Sequence, residues 1–181
     1  EAKDRYKLAQ DAWAHNFKLA REDLRFCAGE QWPEDVLKER KNRPNLVVDK
    51  LGQYVRQVVN DGRQNRPAVK VRPVDDYGDV KVAEAYQGMI RHVCNRSNAD
   101  AAFDTSLECS VKGGFGFFRV LTEYAHEGTF EQEICVKRIR NPFAVLLDPS
   151  TQEADGSDAR FAFVTDEIPK DEFKRKYPNA E

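Results

Sequence analysis

Three stretches carry residue types that could do chemistry. Lys112-Gly113-Gly114-Phe115-Gly116 has the composition of a phosphate cradle, because glycines let backbone N–H groups converge on an anion. A phosphate loop leaves a strand and opens a helix, so that the helix N-terminus faces the anion. Here the order is reversed, with a helical pattern before and a strand pattern after, and no Lys-Ser/Thr follows. The run therefore reads as a helix C-cap and a tight entry into a strand.

The second stretch holds Asp148, Glu153, Asp155 and Asp158. An EF-hand places carboxylates at alternating positions, with glycine at position six and glutamate at twelve. Counted from Asp148, those positions hold Glu153 and Ala159, so the register fails. The expected state is a turn-rich loop whose Asp side chains bond their own backbone. His15, His92 and His126 add no cluster, since His92 and Cys94 lie two apart on a helical pattern and face different ways. No G-x-S-x-G elbow is present. The expectation is no catalytic residue, no metal site and no cofactor: part of a structural assembly rather than an enzyme.

The third stretch is basic. Lys38, Arg40, Lys41 and Arg43 surround a loop, and Arg63, Arg66, Lys70 and Arg72 follow a helix. Lys38, Arg40, Lys41, Arg43, Arg63 and Arg66 are the candidate interaction residues. Only Tyr54 interleaves with them, which disfavours a single-strand stacking platform and leaves phosphate contacts without base readout. From Lys38 to Arg72 there are ten Lys/Arg against three Asp/Glu, and from Asp148 to Glu172 eight Asp/Glu against two Lys/Arg. The net charge is -2, so the chain as a whole is no polyanion binder. The split is open to three readings: two solvated faces, complementary contacts between copies, or a basic face toward nucleic acid.

These residues must be positioned by a core. At 181 residues the chain is long enough for one ordinary domain or two small ones. Hydrophobic residues are 40% and charged residues 33%, which implies a real core under a highly charged surface. Cys27, Cys94, Cys109 and Cys135 match no zinc or disulfide spacing and read as small buried residues of a reducing compartment. The polar start gives no signal-peptide pattern, and no run approaches the ~18 apolar residues of a membrane span. No membrane association is expected, and the chain reads as made inside a cell.

The elements follow from periodicity. Tyr6, Ala9, Trp13, Phe17, Ala20, Leu24 and Cys27 form one helical stripe, ended by Gly29, on a helix about 40 Å long. The stripe is narrow, so the helix packs on one element or forms a seam with another chain. Pro33 opens a short helix through Glu39, and Arg43-Pro44-Asn45 breaks it. Leu46 to Asn60 is helical in pattern, although its valines also allow a strand start, and Asp61-Gly62 terminates it. Arg66 to Val74 alternates apolar and basic residues between prolines, the pattern of a half-buried edge strand. A turn is expected over 75–78, then helices over 79–95 and from Asn98 to Gly113-Gly114. Strands are expected over 115–124 and 130–139, joined at His126-Glu127-Gly128 as a hairpin, then over 143–147 and 160–164. Pro169 opens a last short helix, ended by Tyr177-Pro178. Helices first and strands later indicate α+β: a long N-terminal helix, a helical segment, then a mainly antiparallel sheet. The expected organisation is one α+β portion over 1–181, mainly helical over 1–65 and mixed with an antiparallel hairpin over 66–181.

Several segments, in order, resemble the portal protein of tailed bacteriophages, of the large type found in short-tailed phages. The charged first helix runs into Phe26-Cys27-Ala28-Gly29-Glu30-Gln31-Trp32, and Arg43 to Leu51 leads into the next helix. Asn65-Arg66-Pro67-Ala68-Val69-Lys70-Val71-Arg72-Pro73 resembles the family's strand after that helix. Asp100-Ala101-Ala102-Phe103-Asp104 then leads through Gly113-Gly114-Phe115-Gly116 to Phe118-Arg119-Val120. Asn141-Pro142-Phe143-Ala144-Val145, Asp148-Pro149 and Ser157-Asp158-Ala159 complete the series. The resemblance implies the N-terminal, wing- or hip-like fragment of a longer subunit, without catalytic residues. It implies a homo-oligomeric ring of about twelve copies at one capsid vertex, closed by heterologous contacts. It implies double-stranded DNA passing through the channel in packaging and ejection. Capsid, scaffolding, terminase and tail or adaptor proteins are the implied partners. The implied location is the virion, assembled in the host cytoplasm. Two alternatives stand beside it: a metal-dependent phage nucleic-acid-processing enzyme using the Asp148–Asp158 carboxylates, and a small adaptor binding through the first helix.

Overall fold

A computed structural model of the chain describes residues 1–178 apart from 42, 67, 75–78, 127 and 154. The architecture is α+β, as the element order implied. The chain divides into two compact units, Glu1–Phe17 with Phe143–Glu181, and Lys18–Pro142. Helix α1, Ala2–Cys27, contributes to both. Every residue of its apolar stripe is buried or half-buried, and His15 is exposed.

In the first unit, the N-terminal part of α1 accompanies two short strands, β3 (Val145–Leu147) and β4 (Ala162–Val164). They pair antiparallel with Val145 opposite Val164 and Leu147 opposite Ala162. Ala9, Phe17, Val145 and Leu146 are buried. Trp13 Nε1 donates to the Leu147 carbonyl at 3.1 Å, and Phe17 meets the Phe143 ring edge-on at 5.3 Å between centroids. The strand expected from Phe143 begins instead as a 3-10 turn over Pro142–Ala144, and the one expected from Arg160 begins at Ala162. Both shorten because only three residue pairs face each other across β3 and β4. Helix α6, Lys170–Lys176, follows Pro169 as expected.

The second unit holds α2 (Glu34–Glu39), α3 (Leu51–Gln64), α4 (Val80–Arg96), α5 (Ala99–Gly113) and the hairpin β1 (Phe118–Tyr124) with β2 (Gln132–Arg138). Its core is Ala99, Ala102 and Val136, with Val93, Cys94 and Phe103 packed against them. Small residues at the start of α5 let the hairpin approach closely. Phe103 also meets Phe118 edge-on at 5.0 Å. Asp79 Oδ1 caps α4 by accepting from Lys81 N at 2.8 Å. Asn98 takes φ 49, the left-handed conformation asparagine tolerates, and so turns α4 into α5 across the two residues Ser97 and Asn98. Gly114, with φ 85, ends α5, and its N–H bonds Ser110 O at 2.9 Å.

Five expectations change here. Helix α3 starts at Leu51 rather than Leu46, because Asp49 Oδ1 accepts from Leu51 N at 3.0 Å. It also runs past Gly62 to Gln64. A Cβ on Gly62 would stand 2.5 Å from Leu107 Cδ2, so this glycine makes room for α5 rather than ending a helix. Strand β1 begins at Phe118 rather than Phe115, because the backbone at Gly116 is pressed against the Ser106 carbonyl. The described residues of 66–74 form no strand: alternation satisfies a pleat, but a strand also needs a partner edge. The expected turn at 75–78 lies outside the described residues, as does Glu127 of the hairpin turn. The cysteines are half-buried and free rather than buried.

Candidate functional site

The six candidate basic residues are engaged in different ways. Arg63 Nε reaches Asp104 at 3.3 Å, and Arg66 reaches Asp104 at 2.6 Å and also pairs with Asp100. Both carboxylates are on α5, one helical turn apart, so the two arginines clamp the end of α3 to α5. Arg40 lies over the Trp32 ring with Cζ 4.7 Å from the centroid, a cation–π contact. Lys38, Lys41 and Arg43 are exposed.

The acidic loop is a closed hydrogen-bonded turn. Asp148 is 6% exposed; its Oδ1 accepts from Ser150 N at 3.0 Å and its Oδ2 from Arg160 N at 3.4 Å. Asp155 accepts from Ser157 N at 3.0 Å and Asp158 from Gln152 N at 2.7 Å. These are the self-bonding aspartates expected, with their oxygens occupied by backbone donors. Among the described residues, no three His, Cys, Asp or Glu are grouped to hold a metal ion. The Ser150 N–H holds the Asp148 carboxyl below the usual carboxylate range, against the opposing effect of burial. A depressed folded pKa stabilises the fold above the unfolded value of ~3.9 and loses that contribution as pH falls through the folded value. The urea midpoint should therefore fall on acidification below about pH 4. Asp148→Asn should flatten part of that slope, and identical slopes in both proteins would refute the assignment.

Two concavities belong to the second unit. A cleft of about 320 Å3 is lined by charges of both signs, among them Arg56, Arg63, Glu108 and Lys112. Lys112 bonds Glu108 and holds its carboxyl below the usual range. Burial pushes the neighbouring Cys109 thiol up, the opposite of an activated nucleophile. The second is a groove of about 780 Å3 beside α2, lined by Trp32, Glu34, Asp35 and Leu37 among others. Sequence reasoning passed over Glu34 and Asp35, although an aromatic next to paired acids was the available signal.

The chain matches the family model described as phage P22-like portal protein over residues 3–181. It belongs to that portal family. It is also 26% identical over 159 residues to a portal protein of Acyrthosiphon pisum secondary endosymbiont phage 1. That alignment covers 82% of this chain but only 22% of the relative, so the chain spans about a fifth of that portal protein's length. Membership extends across both compact units of the portal chain, including the Asp148 turn and the α3–α5 clamp. No helix among its described residues is long and apolar enough to cross a membrane.

Proposed function

We propose that the chain is the N-terminal, wing- or hip-like portion of a longer portal subunit, and that it works structurally. The subunit would form a ring at one capsid vertex, serve as a platform for head assembly and conduct DNA during packaging and ejection. The family match over residues 3–181 carries this reading. The site geometry supports a non-catalytic role: Asp148, Asp155 and Asp158 accept backbone hydrogen bonds, and Arg63 and Arg66 are neutralised by α5. Packaging chemistry then falls to a separate terminase motor. Capsid, scaffolding and tail or adaptor proteins complete the partners, in the virion and, before that, in the host cytoplasm. Lys38, Lys41 and Arg43, exposed and without an ion-pair partner among the described residues, are the basic candidates for a partner or phosphates.

Native mass spectrometry of the full-length subunit tests the proposal. A closed ring of about twelve copies is expected, because heterologous contacts close when the rotation per subunit divides the circle. A stable monomer or dimer under all conditions would overturn it.

A further inference from the structure

The groove beside α2 has an apolar and an acidic component. Phe26, Trp32, Leu37 and Val47 supply the first, and three of them, Phe26, Leu37 and Val47, are exposed. Glu22, Glu30, Glu34 and Asp35 supply the second, against Arg25 alone. Arg25 lies 3.9 Å from Glu30, and Lys18 lies 3.9 Å from Glu22. Glu34 and Asp35 have no ion-pair partner among the described residues. Arg40 over Trp32, and the Trp32 Nε1 bond to Leu46 O at 3.3 Å, hold the indole in place.

The same chain carries the complement. Residues 68–74, Ala-Val-Lys-Val-Arg-Pro-Val, alternate valine with cation and hold no carboxylate. They form neither helix nor strand, and no backbone hydrogen bond joins them to another described residue. Val69 is 63% exposed and Val74 fully exposed. Lys70 and Arg72 have no ion-pair partner among the described residues. Exposed valines and unbonded peptide groups are stabilised when a second surface takes both. The lining of the groove includes none of residues 68–74 of its own copy.

We infer that residues 68–74 of one copy dock in the groove of the next. The valines meet Phe26, Leu37 and Val47, and Lys70 and Arg72 meet Glu34 and Asp35. Segment and groove are different surfaces of one chain, so the contact is heterologous and propagates from copy to copy until the ring closes. It rests on the ring-forming reading and names one contact by which the ring would form.

Charge exchange in the full-length subunit tests it. Glu34→Lys with Asp35→Lys, and separately Lys70→Glu with Arg72→Glu, should each lower ring yield at least about tenfold, since like charges would face each other at the contact. All four changes in one chain restore opposite charges and should restore the yield. Circular dichroism of each variant separates a lost contact from a lost fold. The unaltered subunit gives a second measurement that needs no variant. Rings grown from mixed 15N-labelled and unlabelled subunits, treated with a carbodiimide, should yield crosslinks from Lys70 to Glu34 or Asp35 between differently labelled chains. Rings that form without those crosslinks, with Leu37 as open to hydroxyl-radical footprinting as in the monomer, would overturn the contact while leaving the proposed function intact. That outcome would leave the groove to a different protein. A subunit that forms no ring at all would overturn both.

Discussion

Phe17→Ala should cost about 3–5 kcal/mol, the range for removing a buried aromatic ring. Phe17 is 9% exposed and sits between Trp13, 5.7 Å away, and Phe143, 5.3 Å away. Truncation leaves a cavity whose walls are rings that cannot collapse without breaking the Trp13 bond to Leu147 O. At roughly 2–4 °C per kcal/mol for a chain of this size, Tm should fall by about 6–20 °C. Trp13→Phe removes the donor and part of the ring while keeping an aromatic against Phe17, so its cost should be smaller, about 1–2 kcal/mol. Urea unfolding measures both, with the midpoint shifting and the slope unchanged. Equal losses in the two variants would show that the hydrogen bond, rather than ring packing, dominates there.

Gly116→Ala should be as damaging for a different reason. A Cβ at this position would run into the Ser106 carbonyl oxygen and stand 2.9 Å from Ser110 Oγ. The first obstacle is helix backbone, which cannot rotate away, so β1 and α5 must separate at the chain entry. A loss of about 3 kcal/mol or more is expected, the upper range of overpacking. Gly114→Ala is the informative comparison. Nothing lies within 4 Å of its would-be Cβ, and only its φ of 85 resists substitution, so about 1–2 kcal/mol should be lost. Calorimetry of the two variants should rank Gly116 above Gly114; the reverse order would mean that conformational strain outweighs the steric contact.

The glycine run shows how far the sequence carries. Its direction, helix into strand, was enough to reject a phosphate loop, and Gly114 is the cap that direction implies. The requirement at Gly116 was invisible, because Ser106 comes near only once α5 and the hairpin have packed. Helix α1 was legible throughout, since a 3.6-residue period reports the burial of one face without knowing the partner. Gly62 misled for the opposite reason. Glycine after aspartate favours a stop locally, and only the Leu107 side chain on another helix explains its place inside α3. The same holds for the basic residues: their clustering was plain, but Arg63 and Arg66 lose their free charge to Asp100 and Asp104 on a helix distant in sequence. Residues 66–74 had a strand's pattern but lacked its partner, and a pattern cannot state whether the partner belongs to the same molecule.

The seat of Leu107 against Gly62 also has a mechanical consequence. The only α3 positions that accept a leucine so close to the helix axis are glycines, and the other one, Gly52, lies ten residues back. Sliding α3 along α5 by one helical turn, about 5.4 Å, would bring Val58 or Val59 under Leu107, and neither leaves that space. The pair therefore behaves as a ratchet tooth in its notch. A load along α3 is passed to α5 without creep until it is large enough to lift the leucine out, and the joint holds one register or fails.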